Sequence, residues 1–352
     1  MEKNTTNLQS IQIMRGVASL LVLLEHISIK GGQYGNGALK GFSVGGAGVD
    51  LFFIISGYIM CLSTYDQQLN FAQFIIRRIK RIMPLYWLVT TVALIVFLYK
   101  PTLINSSGGE TGIFVSYTLF PNGKKFLNAN GWTLSYEFFF YFIFGYFINK
   151  GTYKAIKASS LILVLLTIIG LCYNFSEPLL FFSTDSLLME FVFGMGCFYL
   201  FNKKNIGLNY KYGMGLFMIG VLLFALQISI GATNYQKWQG LLWGITILLI
   251  FIGLLSLEDL MRQSSFLIKT LLLEIGNSSY SLYLIHPFTL SGTAICLKHF
   301  GMASNPYLFS IILLTVSIAI GHLVYLYVER PLIALMKKIP VIPAANKKLP
   351  HL

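Results

Sequence analysis

Apolar residues do not alternate with polar ones along this chain; they run on. Ten such runs stand out: Ile11 to Ile29, Val44 to Ser63, Met83 to Tyr99, Gly131 to Ile148, Ala158 to Tyr173, Leu187 to Phe201, Gly213 to Ile230, Gln239 to Leu257, Ser278 to Leu297 and Tyr307 to Val328. A hydrocarbon core of about 30 Å takes about 20 helical residues, and runs of this length match it. A closed barrel would show period-two alternation, so the backbone must satisfy itself within helices. The predicted fold is an all-α integral membrane protein, a bundle of about ten transmembrane helices. Loops are short, the longest running from Lys100 to Asn130, and no internal repeat is found. One membrane-embedded domain is expected over residues 1–335, followed by a short basic tail over 336–352.

Charge then orients the bundle. With the N-terminus placed provisionally in the cytoplasm and sides alternating, eighteen of the 26 basic residues fall on the cytoplasmic side, including Arg77, Arg78, Lys80, Arg81, Arg330, Lys337 and Lys338. Seven fall opposite: Lys30, Lys40, Lys100, Lys124, Lys125, Lys237 and Lys298. The excess predicts that both termini are cytoplasmic. The net charge of +13 is then a topology signal and a contact with anionic membrane lipid, with no need for a nucleic-acid partner. Residues before Ile11 lack the features of a removed signal peptide, so the first span is expected to stay as an anchor. Cys61, Cys172, Cys197 and Cys296 are scattered singly, which suggests neither a disulfide framework nor a metal site.

Polar residues inside the spans need a reason. A charged side chain near the bilayer centre costs roughly 2.5 to 3.5 kcal/mol on insertion scales, so Arg15 and His26 in the first span are a functional-site hypothesis. Eleven steps of about 100° come close to three turns, which puts both on one face about 16 Å apart. His26, Asp50 and Glu137 are all expected in the outer third of the membrane. A carboxylate that fixes the tautomer of a histidine, which then takes a proton from a hydroxyl, is the arrangement general acid–base work needs. Arg15 lies deeper, where its guanidinium suits a thioester or pyrophosphate oxygen, or a buried carboxylate. On the cytoplasmic side Arg77, Arg78, Lys80 and Arg81 precede Met83-Pro84-Leu85-Tyr86-Trp87. That cluster suits phosphates, and equally a positive-inside anchor.

At this point the chain resembles a known family, the acyltransferase-3 family of bacterial membrane acyltransferases. The resemblance runs from Ile11 to about Pro331 and its motifs appear in order: Arg15-x10-His26, Gly48 to Tyr58, Arg77-Arg78-x-x-Arg81-Ile82-x-Pro84, Trp132 to Glu137, Ser279 to Pro287, and Val328-Glu329-Arg330-Pro331. The Ile11-Gln12-x-x-Arg15-Gly16 opening is most similar to exopolysaccharide O-acetyltransferases. The resemblance implies a multi-pass protein of the bacterial cytoplasmic membrane. Its implied reaction is transfer of an acyl group, usually acetyl from cytoplasmic acetyl-CoA, to a sugar hydroxyl on a surface glycan or its lipid-linked precursor. On that reading Arg77, Arg78 and Arg81 take the CoA phosphates and Arg15 positions the donor. His26 is the base or a transient acyl acceptor, and Asp50 or Glu137 orients it. No metal is implied. Trp132, Tyr136, Tyr283 and His286 are acceptor-binding or structural.

Plainer roles stand beside these. His26 also fits a core imidazole, Asp50 a cap at the start of its helix, and Glu137 a structural partner for Arg15. His286 precedes Pro287, where freed carbonyls need donors. Glu25 is expected to reach for the outer interface, and Glu329 to pair with Arg330. Phe138 to Phe142 is the aromatic run expected to line a site rather than lipid. Three function classes stay open: the O-acyltransferase with acetyl, succinyl or another donor, a transporter or flippase for a lipid-linked glycan, and a structural subunit of an assembly complex. A transporter calls for an inverted repeat or paired broken helices.

Overall fold

Each of the ten apolar runs lies on a helix. The computed structural model describes residues 8–35, 38–39, 41–105, 108–204, 209–230, 238–265 and 267–340. The chain runs through α1 (Gln9–Gln33), α2 (Gly46–Thr64) and α3 (Phe71–Tyr99), then crosses a long loop bearing the short α4 (Pro101–Ile104) and α5 (Ile113–Thr118). It continues through α6 (Gly131–Phe147), α7 (Thr152–Cys172), the short α8 (Pro178–Ser183), α9 (Leu188–Phe198), α10 (Tyr210–Ser229) and α11 (Gln239–Ser256). Then come α12 (Glu258–Gln263), α13 (Leu267–Asn277), α14 (Ser279–His299), α15 (Pro306–Val324) and α16 (Arg330–Lys338). Among the described residues there is no strand, only a single bridge between Thr111 and Lys125. Of the predicted tail, residues up to 340 are described; Lys3, Lys40, Lys237, Lys347 and Lys348 of the charge count lie outside the described residues.

Seven helical stretches among the described residues are long and apolar enough to cross a membrane: Gln9–Gln33, Gly46–Thr64, Phe71–Tyr99, Thr152–Cys172, Pro178–Lys203, Tyr210–Ser229 and Pro306–Lys338. The protein is a multi-pass membrane protein. The other three predicted spans coincide with α6, α11 and α14. Helix α6 has only 17 residues, and α14 is diluted by Ser279, Ser281, His286 and Lys298.

Glycine sets the closest helix contacts. A Cβ on Gly194 of α9 would run into the Ile54 carbonyl of α2, and one on Gly57 of α2 into the Phe191 carbonyl of α9. Without a hydrophobic drive between helices in lipid, such small-residue seams let backbones approach and gain dispersion contacts. Helix α2 is thereby held at the centre, against α1, α9 and α11.

Contacts between distant segments gather the start of α1, the start of α3, α12 and α16 at one end of the bundle. Helix α1 has no side-chain cap of its own. Instead the Glu258 carboxylate accepts from the backbone N–H of Gln9 at 3.0 Å and of Ser10 at 2.8 Å, meeting two of the unsatisfied donors at a helix start. Lys80 Nζ donates to the Ile339 carbonyl at 2.5 Å. This basic end carries the Arg77 to Arg81 segment. At the opposite end, Lys298 sits over the Tyr34 ring. There the Gly45 N–H donates to Glu25, which ties α1 to the start of α2 and fixes a carboxylate the sequence left reaching for the interface.

Candidate active site

A cavity of about 320 Å³ enters the bundle from the basic end. Arg15 of α1, Arg78 and Arg81 of α3, Glu137 and Tyr141 of α6, and Tyr283 of α14 all line it. Glu137 accepts from Tyr141 Oη at 2.9 Å, and the charges of Arg15 and Arg78 act on its carboxylate. The first turns of α6 separate this cavity from a second one of about 520 Å³ beside the long loop. Thr133, Leu134, Glu137 and Tyr141 face the inner cavity, while Trp132, Ser135 and Tyr136 face the outer one with Phe126 and Phe182. Trp132 is 40% exposed there.

Beyond the inner cavity stand two histidines. The Tyr283 ring, whose hydroxyl lies 2.9 Å from Thr133 Oγ1, is 5.9 Å from the His286 ring. The His286 ring in turn meets that of His26 edge to face at 4.7 Å. His26 Nδ1 is 2.9 Å from the Val22 carbonyl and His286 Nδ1 3.2 Å from the Leu282 carbonyl. Each Nδ1 faces an acceptor, so each carries the hydrogen and each Nε2 is left with its lone pair. His286 is buried and its Nε2 has no partner.

Two asparagines reach the carbonyls just before Pro287. Pro287 lacks the N–H that would bond the Tyr283 carbonyl four residues earlier. Asn130 Nδ2 donates to that carbonyl instead, and Asn128 Nδ2 to the Leu284 carbonyl at 3.2 Å. The carbonyls freed at the proline are thus met from the loop before α6.

The expected convergence of His26, Asp50 and Glu137 does not occur. Among the described residues no hydrogen bond joins His26 to a carboxylate; the Val22 carbonyl fixes its tautomer instead. Glu137 belongs to the arginine-lined cavity. Asp50, one turn into α2 rather than capping it, faces Glu190 of α9, brought close by the Gly57 and Gly194 seam. Both side chains are buried and neither has a donor from elsewhere. Asp185, which accepts from Tyr136 Oη at 2.7 Å, lies close by. Glu190 escaped notice in the sequence, although an acid inside the Leu187 to Phe201 run is the same signal that singled out Arg15.

Other expectations also change. Arg77 points away from the cavity and donates to Gln67 Oε1. Glu329 pairs with Arg81 at 3.2 Å, not with Arg330, and accepts from Ser281 Oγ at 2.6 Å. Of Phe138 to Phe142 only Tyr141 lines the inner cavity; Phe138 and Phe140 pack in the core and Phe142 is exposed, because successive helical residues cannot share one face. Among the described residues no three His, Cys, Asp or Glu side chains gather as metal ligands.

Comparison with known proteins agrees with the motif order. The acyltransferase domain model of the acyltransferase-3 family matches residues 8–326. The chain is 30% identical to exopolysaccharide production protein ExoZ of Rhizobium meliloti over 302 residues, 83% of this chain and 90% of that protein. It is 26% identical to O-acetyltransferase OatA of Staphylococcus aureus over 69% of this chain and 46% of that protein. The putative peptidoglycan O-acetyltransferase YrhL of Bacillus subtilis is 24% identical over 91% of this chain and 54% of that protein. The chain thus spans about half the length of the latter two. No solved structure matches. On this evidence the chain belongs to the acyltransferase-3 family of membrane acyltransferases.

Proposed function

We propose that the chain is a membrane O-acyltransferase that moves an acetyl group from acetyl-CoA, entering from the cytoplasm, to a sugar hydroxyl of an exopolysaccharide or its lipid-linked precursor. The observation that carries this reading is the inner cavity. It begins at three arginines and ends at Tyr283, beyond which come the His286 ring and then, edge to face with it, the His26 ring. Cations at the entrance suit a nucleotide phosphate, and the largely apolar lining, with Ile11, Val49, Phe52 and Ile55, suits a thioester arm. The bare Nε2 of His26 suits a hydroxyl proton. In this reading the bundle has ten spans, and its basic end faces the cytoplasm by the positive-inside excess.

The chemistry then needs little else. The acceptor oxygen attacks the thioester carbonyl carbon while His26 Nε2 takes the hydroxyl proton. The carbon–sulfur bond breaks, and the proton passes from the imidazolium to the departing thiolate, so no net charge accumulates. Arg15 holds the donor at the neck of the cavity, and Arg78 and Arg81 draw its phosphates. With no carboxylate bonded to it among the described residues, the His26 imidazolium is steadied by the Val22 carbonyl at Nδ1 and by the neighbouring His286. The outer cavity, with the faces of Trp132 and Tyr136, suits a sugar ring.

The test is proton NMR of O-acetyl signals on surface polysaccharide from cells lacking the gene, complemented with wild type or with His26→Ala. Signals restored by wild type alone support acetyl transfer through His26. Acetylation that never depends on the gene, with polymer export lost, would point to a transporter instead.

A further inference from the structure

Beside the inner cavity lies a second basic chamber of about 340 Å³, bounded by Arg15, Arg81, Asn277, Tyr325, Arg330 and Lys337. It shares Gln12, Arg15 and Arg81 with the inner cavity, so the two meet at that neck. Four cations surround the chamber. The carboxylate beside it, Glu329, is spent on Arg81 and Ser281. The chamber therefore carries excess positive charge of a kind that bound phosphate would balance.

Its outer wall is α16, and that helix is fixed rather than loose. Its start follows a π-helical turn, Tyr325–Glu329, that buries Glu329 against α3 and α14. Its far end is tied by Lys80 to the Ile339 carbonyl. Arg330 and Lys337 are seven residues apart, two turns at about 700°, so both present the same face, with Ile333 and Ala334 between them. Lys338 lies about 100° round and does not border the chamber. The cations thus fall into two sets: Arg15 and Arg81 at the neck, Arg330 and Lys337 farther out.

We propose that α16 forms the subsite for the nucleotide end of the donor, in which Arg330 and Lys337 hold a ribose phosphate while Arg15 and Arg81 hold the diphosphate at the neck. The ligand class is a nucleoside diphosphate with an additional ribose phosphate, joined through the diphosphate to an uncharged arm that enters the inner cavity. This rests on the acyl-CoA reading above and adds which residues select the ribose phosphate. The same phosphate chemistry is offered by an anionic lipid headgroup at the membrane surface, and the experiment separates the two.

Acetyl transfer is measured with full-length protein in nanodiscs, using acetyl-CoA, acetyl-dephospho-CoA, which lacks the ribose phosphate, and S-acetylpantetheine. For Arg330→Gln/Lys337→Gln, KM for acetyl-CoA is expected to rise about tenfold, with S-acetylpantetheine used as by wild type. Wild type should lose about as much on acetyl-dephospho-CoA, and the two losses should not add. Lys338→Gln should match wild type on every donor. Lys337→Gln alone, at an exposed position, serves if the double variant expresses poorly, and should show part of the same split. The assignment is overturned if all three donors weaken together or if KM for acetyl-CoA does not move. It is overturned equally if the effect appears in phosphatidylglycerol nanodiscs but not in phosphatidylcholine ones, which would make α16 a lipid anchor. Wild type that transfers acetyl from none of the donors would defeat the donor reading itself.

Discussion

The imidazole of His26 meets that of His286 edge to face, ring centroids 4.7 Å apart and planes at 72°. Both rings give Nδ1–H to a carbonyl of their own helix, one turn back. In the proposed reaction main chain takes the place of an orienting carboxylate, and the second imidazole stands beside the one proposed to accept and release a proton. This arrangement depends on Asn130 and Asn128 meeting the carbonyls freed around Pro287.

His286→Phe keeps the ring and removes its nitrogens. If His286 helps hold the proton taken by His26, kcat should fall about 100-fold, with KM for acetyl-CoA unchanged. In a His26→Ala background the same change should cost little more, because the two act as a unit. Thiol release from acetyl-CoA in the presence of an acceptor oligosaccharide reads both quantities. A kcat close to wild type would reduce His286 to packing.

Asp50 was expected to orient His26, and the structure gives it Glu190 instead. Asp50→Asn leaves an amide that can donate to the Glu190 carboxylate, so acetyl transfer and thermal stability should both stay near wild type. Asp50→Ala removes the partner and leaves a buried acid alone, at a cost of about 1 to 3 kcal/mol. Thermal unfolding of the two purified variants, side by side, makes the comparison. Loss of activity in Asp50→Asn without loss of stability would return Asp50 to the reaction.

Much of this architecture is legible in the sequence because hydropathy acts along the chain. The ten runs, the intramembrane Arg15 and His26, and the basic Arg77 to Arg81 segment are all local signals. What was not legible is which polar residues meet across helices. Asp50, Glu137 and His26 are expected at one depth, yet their helices give them different neighbours: Gly57 and Gly194 bring α9 against the Asp50 side of α2, while Tyr141 and the arginines keep Glu137 in the inner cavity. Likewise Glu329 and Arg330 are neighbours in sequence, but the π-helical turn points one inward to Arg81 and leaves the other for the chamber.

Gly194→Ala tests the seam on which the central helix rests. Its new Cβ would press on the Ile54 carbonyl, a backbone atom without a flexible end to move aside. Overpacking of this kind typically costs about 1 to 3 kcal/mol. A lowered melting temperature in detergent is expected, with Gly196→Ala as control, since a Cβ there meets nothing within 4 Å. Equal melting of the two variants would mean that the seam is slack.

Glu258 gives the fold a pH-dependent tie. Burial alone would raise its carboxyl, but bonds from the Arg262 side chain and from the Ser10 and Gln9 backbone outweigh burial and hold it below the usual carboxylate range. A carboxyl depressed by folding contributes stability above its unfolded pKa, about 4.3, and that contribution is lost as pH falls through the folded value. Glu258→Ala should therefore melt earlier than wild type at pH 7, by about 1 kcal/mol of cap stability. The gap should close progressively below about pH 4, as wild type loses the same tie by protonation. Melting curves of the two proteins from pH 7 downward decide it: a gap that stays constant with pH would mean that the residue contributes by packing, and that the start of α1 needs no charge.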